Sequence, residues 1–305
     1  MPRRSRSRGA LRRVIVVSVV GALAVTGVVL LLDRTVPVIP RREACSVEVD
    51  GTTWSFSAAQ ADNAALIAAV TVKRTMPARA ATIGLATALQ ESKLVNIDYG
   101  DRDSVGLFQQ RTSQGWGTIA QIMDPVYSTN AFFDGLEQIA GYTELPVTEA
   151  AQAVQRSGFP DAYAQHENRS RAWASALTGN SAAAVTCTLD PLEDTDLTDE
   201  AGTASALEVV RARILRDFGD LPVTADLGTG SVLVEVAPLA PEPEQESRVS
   251  WAVAQWAVAT ARATEVDAVL VGDQVWTRAT REWTAVVDPA SHIPAGAVRL
   301  RLASA

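Results

Sequence analysis

The sequence contains few of the side chains that most often carry metal or nucleophilic chemistry. Among its 305 residues are two histidines, His166 and His292, and two cysteines, Cys45 and Cys187. Neither histidine has a partner at the spacing of metal ligands, which argues against a zinc site and against a histidine-dependent catalytic triad. We therefore expect no metal and no cofactor.

Residues 14–32 contain no charged side chain, and the preceding residues 1–13 contain six arginines and no acid. A helix over these uncharged residues, at about 1.5 Å per residue, would span about 28 Å, close to the ~30 Å hydrocarbon core of a bilayer. Arginine favours the cytoplasmic side, so the chain after Asp33 is expected outside. A cleaved signal peptide is the alternative, but its apolar region is usually ~7–15 residues long. The pattern predicts one transmembrane helix over 14–32 that anchors extracytoplasmic domains in the lipid bilayer of the cell membrane.

Basic residues are scarce beyond this segment. Nine of the 27 basic and one of the 35 acidic residues lie in residues 1–42, which leaves 18 basic and 34 acidic residues in the remainder. A remainder this acidic argues against nucleic acid and against an anionic membrane surface as partners.

The two cysteines both follow the predicted membrane span. In an oxidising compartment a single pair of cysteines usually forms a disulfide. A bond between Cys45 and Cys187 would close a loop of about 140 residues and mark the two ends of one domain. Two buried thiols are the alternative.

Local patterns divide the rest of the chain. Alternating apolar residues around Asp50-Gly51 predict a hairpin, Ser57 with Gln60 predicts a capping box, and Pro77 opens a helix that runs to Glu91. Further helices are predicted over 125–139, 147–155, 161–177, 204–218 and 249–263, and strands over 232–236, 266–271, 283–287 and 297–302. We expect a spacer (33–44), a mainly α domain (45–187), an acidic linker (188–202) and a small α+β domain (203–305).

One acidic residue, Glu91, lies at the end of an otherwise apolar helix, in A-L-Q-E-S-K-L (88–94). An apolar setting disfavours the carboxylate, so its pKa rises and the group can carry a proton near neutral pH. A glycosidic bond needs such a general acid. The alternative is a surface acid at a helix end.

The motif around Glu91 resembles a known family. Glu91-Ser92, the 14-residue step to Val105 and the G-L-F-Q of residues 106–109 together resemble the soluble lytic transglycosylases of the wider lysozyme-like superfamily, over about residues 46–180. The stretch also looks like a family of anchored extracytoplasmic actinobacterial proteins. The resemblance implies a lysozyme-like fold and cleavage of peptidoglycan glycan strands. Glu91 would protonate the oxygen between N-acetylmuramic acid and N-acetylglucosamine and then act as base on the muramic 6-hydroxyl.

The same resemblance implies a set of substrate-binding residues. Ser92 would order the site, Gly106 would let the backbone approach the sugar, and Gln109 would contact the substrate or position Glu91. The family's late Ala-Tyr-Asn element has no direct match, and Gln155 or Tyr163 stands near its place. Trp116, between two glycines, is either a sugar-stacking platform or a core residue. The predicted contacts are Ser92, Gly106, Phe108, Gln109, Gln110, Trp116, Gln155 and Tyr163.

Three aspartates in the following loop, Asp98, Asp101 and Asp103, have several interpretations. One of them could be the second carboxylate of a hydrolase. They could bind Ca²⁺, although the spacing lacks the glycine and final glutamate of an EF-hand loop. The interpretation we favour is turn and cap acids that pair with Arg102 and Arg111.

The C-terminal part resembles a module related to D-Ala-D-Ala carboxypeptidase-like metallopeptidases, in V-A-Q-W-A-V-A-T-A and V-D-A-V-L-V-G-D-Q-V-W-T. Its strands lack the histidine ligands, which implies a metal-free part for binding or scaffolding; a small interaction domain is the alternative. Two functions therefore compete for the whole chain. One is an anchored peptidoglycan-cleaving enzyme, and the other is a non-catalytic glycan-binding or scaffold protein of an envelope complex.

Overall fold

A computed structural model describes residues 43–192 and 200–302. Strands β1 (Ala44–Val49) and β2 (Thr52–Ser57) form the predicted hairpin, in which Asp50 and Gly51 take φ values of 52° and 70° that suit a tight two-residue turn. Strand β5 (Val185–Thr188) pairs antiparallel with β1 and sets Cys45 opposite Cys187. These cysteines form a disulfide across a separation of 142 residues, so the predicted pairing is confirmed.

The first two helices follow directly from the hairpin. Helix α1 (Ala58–Lys73) begins at the predicted capping box. The backbone amide of Gln60 donates to Ser57 Oγ, and the backbone amide of Ser57 donates to Gln60 Oε1. Pro77 precedes α2 (Ala78–Ser92) as its N-cap residue. The helix ends where Lys93 takes a left-handed conformation with φ 57°.

Two short strands and four further helices complete the N-terminal part. They are β3 (Ser104–Val105), β4 (Gln110–Arg111), α3 (Ile119–Met123), α4 (Pro125–Glu137), α5 (Val147–Gln155) and α6 (Glu167–Leu177). The prediction for α5 is confirmed residue for residue. The predicted helix over 161–177 begins later, because residues 164–166 form a 3-10 turn before α6.

The C-terminal part contains six strands, β6 (Val223–Asp226), β7 (Ser231–Glu235), β8 (Val266–Val271), β9 (Gln274–Thr277), β10 (Trp283–Ala285) and β11 (Ala297–Leu302). They form one antiparallel sheet with the order β10-β9-β8-β11-β7-β6. Helices α7 (Glu200–Phe218) and α8 (Glu246–Thr264) accompany it. The sequence patterns missed β6 and β9, which have four residues each.

The fold-class prediction, a mainly α lysozyme-like domain followed by a small α+β domain, is wrong. The described residues form eight helices and eleven strands in three antiparallel sheets and belong to one compact unit. The prediction failed because it placed α1 and α8 in separate domains. Both helices are apolar on nearly all sides, and they bury these sides against each other.

A fully buried glutamine of α8, Gln255, ties the two parts together. Its Nε2 donates to the carbonyls of Ala176 (2.6 Å) and Ser181 (2.9 Å). Its Oε1 accepts from the amides of Ala184 (2.8 Å) and Val185 (3.0 Å), next to and within β5. The C-terminal helix therefore fixes the backbone that carries the disulfide-bonded strand.

The transmembrane helix that the sequence predicts over 14–32, with its flanking tail (1–13), lies outside the described residues, as does 193–199 of the predicted linker. Within the two described ranges, no helix has both the length and the apolar character needed to cross a membrane.

Candidate active site

Glu91 lies in the last turn of α2, at the wall of an open cleft of about 570 Å³. Its side chain is half-buried. The helix ends immediately afterwards, because Lys93 and Leu94 both have positive φ values, 57° and 61°. Glu91 therefore lies at the end of a helix, as the sequence predicts, and the structure adds that it lines a cleft.

The surroundings of Glu91 shift its pKa in both directions. Burial raises the pKa, and this is the largest effect. Hydrogen bonds from Tyr163 and Gln155 and the positive charge of Arg111 act in the opposite sense. The net shift is upward, which agrees with the direction expected from the apolar helix.

Tyr163 is the closest partner of Glu91. Its hydroxyl donates a hydrogen bond of 2.6 Å to Glu91 Oε1, and its side chain is fully buried behind the carboxyl group. Burial and this hydrogen bond raise the pKa of Tyr163, so the hydroxyl stays protonated and remains a donor. The tyrosine thus fixes the orientation of the carboxyl group rather than lining the cleft itself.

Ser92 connects the end of α2 to the G-L-F-Q segment. Its Oγ donates to the carbonyl of Leu107 at 2.7 Å, lies 3.1 Å from the carbonyl of Ala88, and accepts from the amide of Val95 at 3.3 Å. The side chain is buried. These contacts occur inside the protein rather than in the cleft, and the ordering role in catalysis stays a prediction.

Gly106 and Gln109 are the first and last residues of the G-L-F-Q segment. Gly106 has φ 82°, and a Cβ there would lie 2.8 Å from the carbonyl oxygen of Ile122, so local packing already requires glycine. Its predicted approach to a sugar stays a prediction. Gln109 lines the cleft and donates to the carbonyls of Tyr99 and Gly106, both at 3.3 Å.

Six of the eight predicted contact residues do not line the cleft: Ser92, Gly106 and Tyr163, described above, and Phe108, Gln110 and Trp116. Phe108 is fully buried and stacks on Phe132, with 4.7 Å between ring centroids. Gln110 is buried and donates to the carbonyl of Ser128 at 3.1 Å. Trp116 is partly buried against the hydrophobic core. Gln155, by contrast, lines the cleft and donates to the carbonyl of Phe108 at 2.8 Å.

Two of the three loop aspartates, Asp101 and Asp103, behave as turn and pairing acids, and the role of Asp98 stays a prediction. Asp103 accepts from the Ser113 amide (2.8 Å) and hydroxyl (2.9 Å), and these bonds lower its pKa. Asp101 pairs with Arg111 at 2.8 Å and lies 3.8 Å from Arg102, so the predicted pairing is confirmed. Asp101 also lines the cleft, and a role as second carboxylate stays a prediction. In the described part of the chain, no three acids, histidines or cysteines form a group that could hold a metal ion.

The sequence patterns missed part of the cleft wall. Phe159 has 76% of its surface exposed, and it lines the cleft beside Ser157 and Gly158. Arg156, directly after α5, lies on the same wall. The run R-S-G-F-P gave no signal for this ring, because single exposed apolar residues are common on protein surfaces.

Known proteins add no assignment to this geometry. No protein-family model matches the chain, and no curated protein matches it. The likeness to lytic transglycosylases therefore depends on the motif residues around Glu91.

Proposed function

We propose that this chain cleaves the glycan strands of peptidoglycan with Glu91 as general acid and base. The observation that carries the proposal is a half-buried glutamate of raised pKa, held by Tyr163 on the wall of an open polar cleft. Because its pKa is raised, this carboxyl group holds its proton to a higher pH than an exposed glutamate does, which suits a general acid that protonates a glycosidic oxygen in the transition state.

The reaction proceeds in two steps at this one carboxyl group. Glu91 donates its proton to the oxygen that leaves with N-acetylglucosamine, and the bond from that oxygen to C1 of the muramyl sugar breaks. The Glu91 carboxylate then takes the proton of the muramic 6-hydroxyl, whose oxygen bonds to C1 and forms a 1,6-anhydro end without water. The Tyr163 hydroxyl donates to the carboxylate between the steps and so stabilises the ionised form.

The cleft offers contacts that suit a glycan. The amides of Gln109 and Gln155 provide hydrogen-bonding groups for sugar hydroxyls, and the exposed ring of Phe159 provides an apolar face. A volume of about 570 Å³ accommodates a short stretch of sugar units.

The disulfide between Cys45 and Cys187 supports an oxidising compartment, where such bonds persist. It fits an extracytoplasmic position in the cell envelope. Anchoring through residues 14–32 stays a prediction from the sequence.

A non-catalytic glycan-binding or scaffold protein is the second candidate. The observation that favours it is that Tyr163, Gln155 and Arg111 all lower the pKa of Glu91 and so oppose its role as an acid. Such a protein would use the same cleft without turnover.

Digestion of dye-labelled sacculi by the full-length protein separates these candidates. We expect the wild type to release soluble dye, and Glu91→Gln to be slower by about 10²- to 10⁴-fold, the usual contribution of a general acid. The matched control is Glu149→Gln, an exposed glutamate in the first turn of α5 that does not line the cleft; it should match the wild type. No release by the wild type, or equal release by Glu91→Gln, would contradict the proposal.

A further inference from the structure

The cleft beside Glu91 is basic, although the protein as a whole is acidic. The chain has a formal net charge of −8. The cleft walls nevertheless carry three arginines, Arg102, Arg111 and Arg156, against two carboxyl groups, Glu91 and Asp101. Because a concave surface focuses the field of its charges, this cleft attracts anions that the rest of the surface repels.

The three arginines differ in what they already contact. Arg111 donates to Asp101 Oδ2 and to Ser104 Oγ, both at 2.8 Å, so its donors are largely used. Arg102 has 76% of its side chain exposed, and its ion pair with Asp101, at 3.8 Å from Nε, is too long to occupy one of its hydrogen-bond donors. The guanidinium group of Arg156 forms no hydrogen bond or ion pair with any residue in 43–192 or 200–302. Two guanidinium groups are therefore available to a ligand in the cleft.

A free guanidinium group is complementary to a carboxylate, both in charge and in the fork geometry of its donors. In a peptidoglycan strand, the carboxyl group attached directly to the sugar is the lactyl carboxyl of the muramyl unit. It is ionised when no peptide is attached, and it is a neutral amide when the stem peptide is present.

We infer that Arg156 and Arg102 select glycan strands whose muramyl sugars carry a free lactyl carboxylate. The ligand class rests on the proposed glycan-cleaving function, and the arginines determine which form of the glycan binds. Hydrolysis of the amide bond between the lactyl group and the stem peptide must then come first, because that class of reaction supplies the free carboxylate.

Binding to the full-length Glu91→Gln protein tests this selection without turnover. Calorimetry would compare three forms of one glycan oligomer: peptide-free, peptide-free with the lactyl carboxyls reduced to alcohols, and peptide-bearing. We expect the peptide-free form to bind about tenfold more tightly than either of the others, as one charge-assisted contact provides. The preference should weaken as salt increases.

Variants in the same background identify the residues. Arg156→Gln and Arg102→Gln should each reduce the preference, and the double variant should remove it, while Arg156→Lys keeps a part of it. Arg211→Gln is the matched control, because Arg211 is an exposed arginine of α7 that does not line the cleft. Circular dichroism would verify that each variant folds.

The possible failures are distinguishable. Equal binding of the carboxylate and alcohol forms, equally tight binding of the peptide-bearing form, or a preference that survives loss of both arginines, would overturn the selection and leave cleavage untouched. A preference for the carboxylate without cleavage of sacculi would support the selection and remove the enzymatic proposal alone. If no glycan bound, the selection would fall, and the cleavage would fall with it if the wild type also released no dye from sacculi.

Discussion

Replacing Tyr163 with phenylalanine removes one oxygen atom from the site and leaves the buried ring in place. That oxygen donates the 2.6 Å hydrogen bond to Glu91 Oε1. Because the hydrogen bond favours the ionised carboxylate, its loss raises the pKa of Glu91 further above the value that burial already gives it.

The cost in stability should depend on pH. A hydrogen bond to a charged group contributes about 1.5–3 kcal/mol, whereas a bond between neutral groups contributes about 0.5–1.5 kcal/mol. A glutamate whose pKa is raised by folding stabilises the protein below its unfolded pKa and loses that contribution as the pH rises through the folded pKa. Tyr163→Phe should therefore cost about 0.5–1.5 kcal/mol near pH 4 and about 1.5–3 kcal/mol near pH 8.

Urea unfolding at the two pH values measures this difference. Tyr127→Phe is the matched control, because the Tyr127 hydroxyl donates to a neutral group, the Trp116 carbonyl, at 3.1 Å. Its cost should be the same at both pH values. If the Tyr163→Phe cost were equally independent of pH, or additive with that of Glu91→Gln, the tyrosine would not act on the charge of Glu91.

Three further predictions concern stability. Glu91→Gln should be more stable than the wild type near pH 8, because the amide does not ionise in its half-buried position, and it should lose this advantage near pH 4. Urea unfolding at both pH values would measure the difference in stability. An equal difference at the two pH values would count against the raised pKa of Glu91. Reduction of the Cys45–Cys187 disulfide should lower the free energy of unfolding by up to about 5 kcal/mol in urea, and an unchanged midpoint would contradict this. Gln255→Ala should cost about 3–5 kcal/mol, because four buried or part-buried backbone groups lose their partner. Gln274→Ala at the start of β9, where the side chain donates to the exposed Asp273, should cost under about 0.5 kcal/mol, and similar costs would refute the role of Gln255 in tying the two parts together.

Local signals predicted the local structure around the site. The Asp50-Gly51 turn, the Ser57 capping box and the helix ending at Glu91 each depend on residues a few positions apart, so their chemistry is visible in the sequence. The raised pKa of Glu91 followed from the apolar helix, and burial is indeed its largest cause.

Contacts between distant residues were not accessible in the same way. Tyr163 lies 72 positions from Glu91, and nothing in its neighbourhood marks its hydroxyl as the donor. The fold class failed for a related reason, since α1 and α8 look like the core helices of two separate domains until they are seen to pack on each other. Arg156 and Phe159 lie in a turn, where periodicity carries no information about which side chains converge.

In the proposed reaction Glu91 breaks a glycosidic bond and then helps to close a 1,6-anhydro ring. Mass spectrometry can identify the products from a defined peptide-free glycan that is incubated with the wild type or with Glu91→Gln. We predict new chain ends that are lighter by one water than hydrolysis products with the wild type, and an intact glycan with the variant. Reducing ends would contradict the one-carboxylate reaction, and an intact glycan in both samples would contradict catalysis by Glu91.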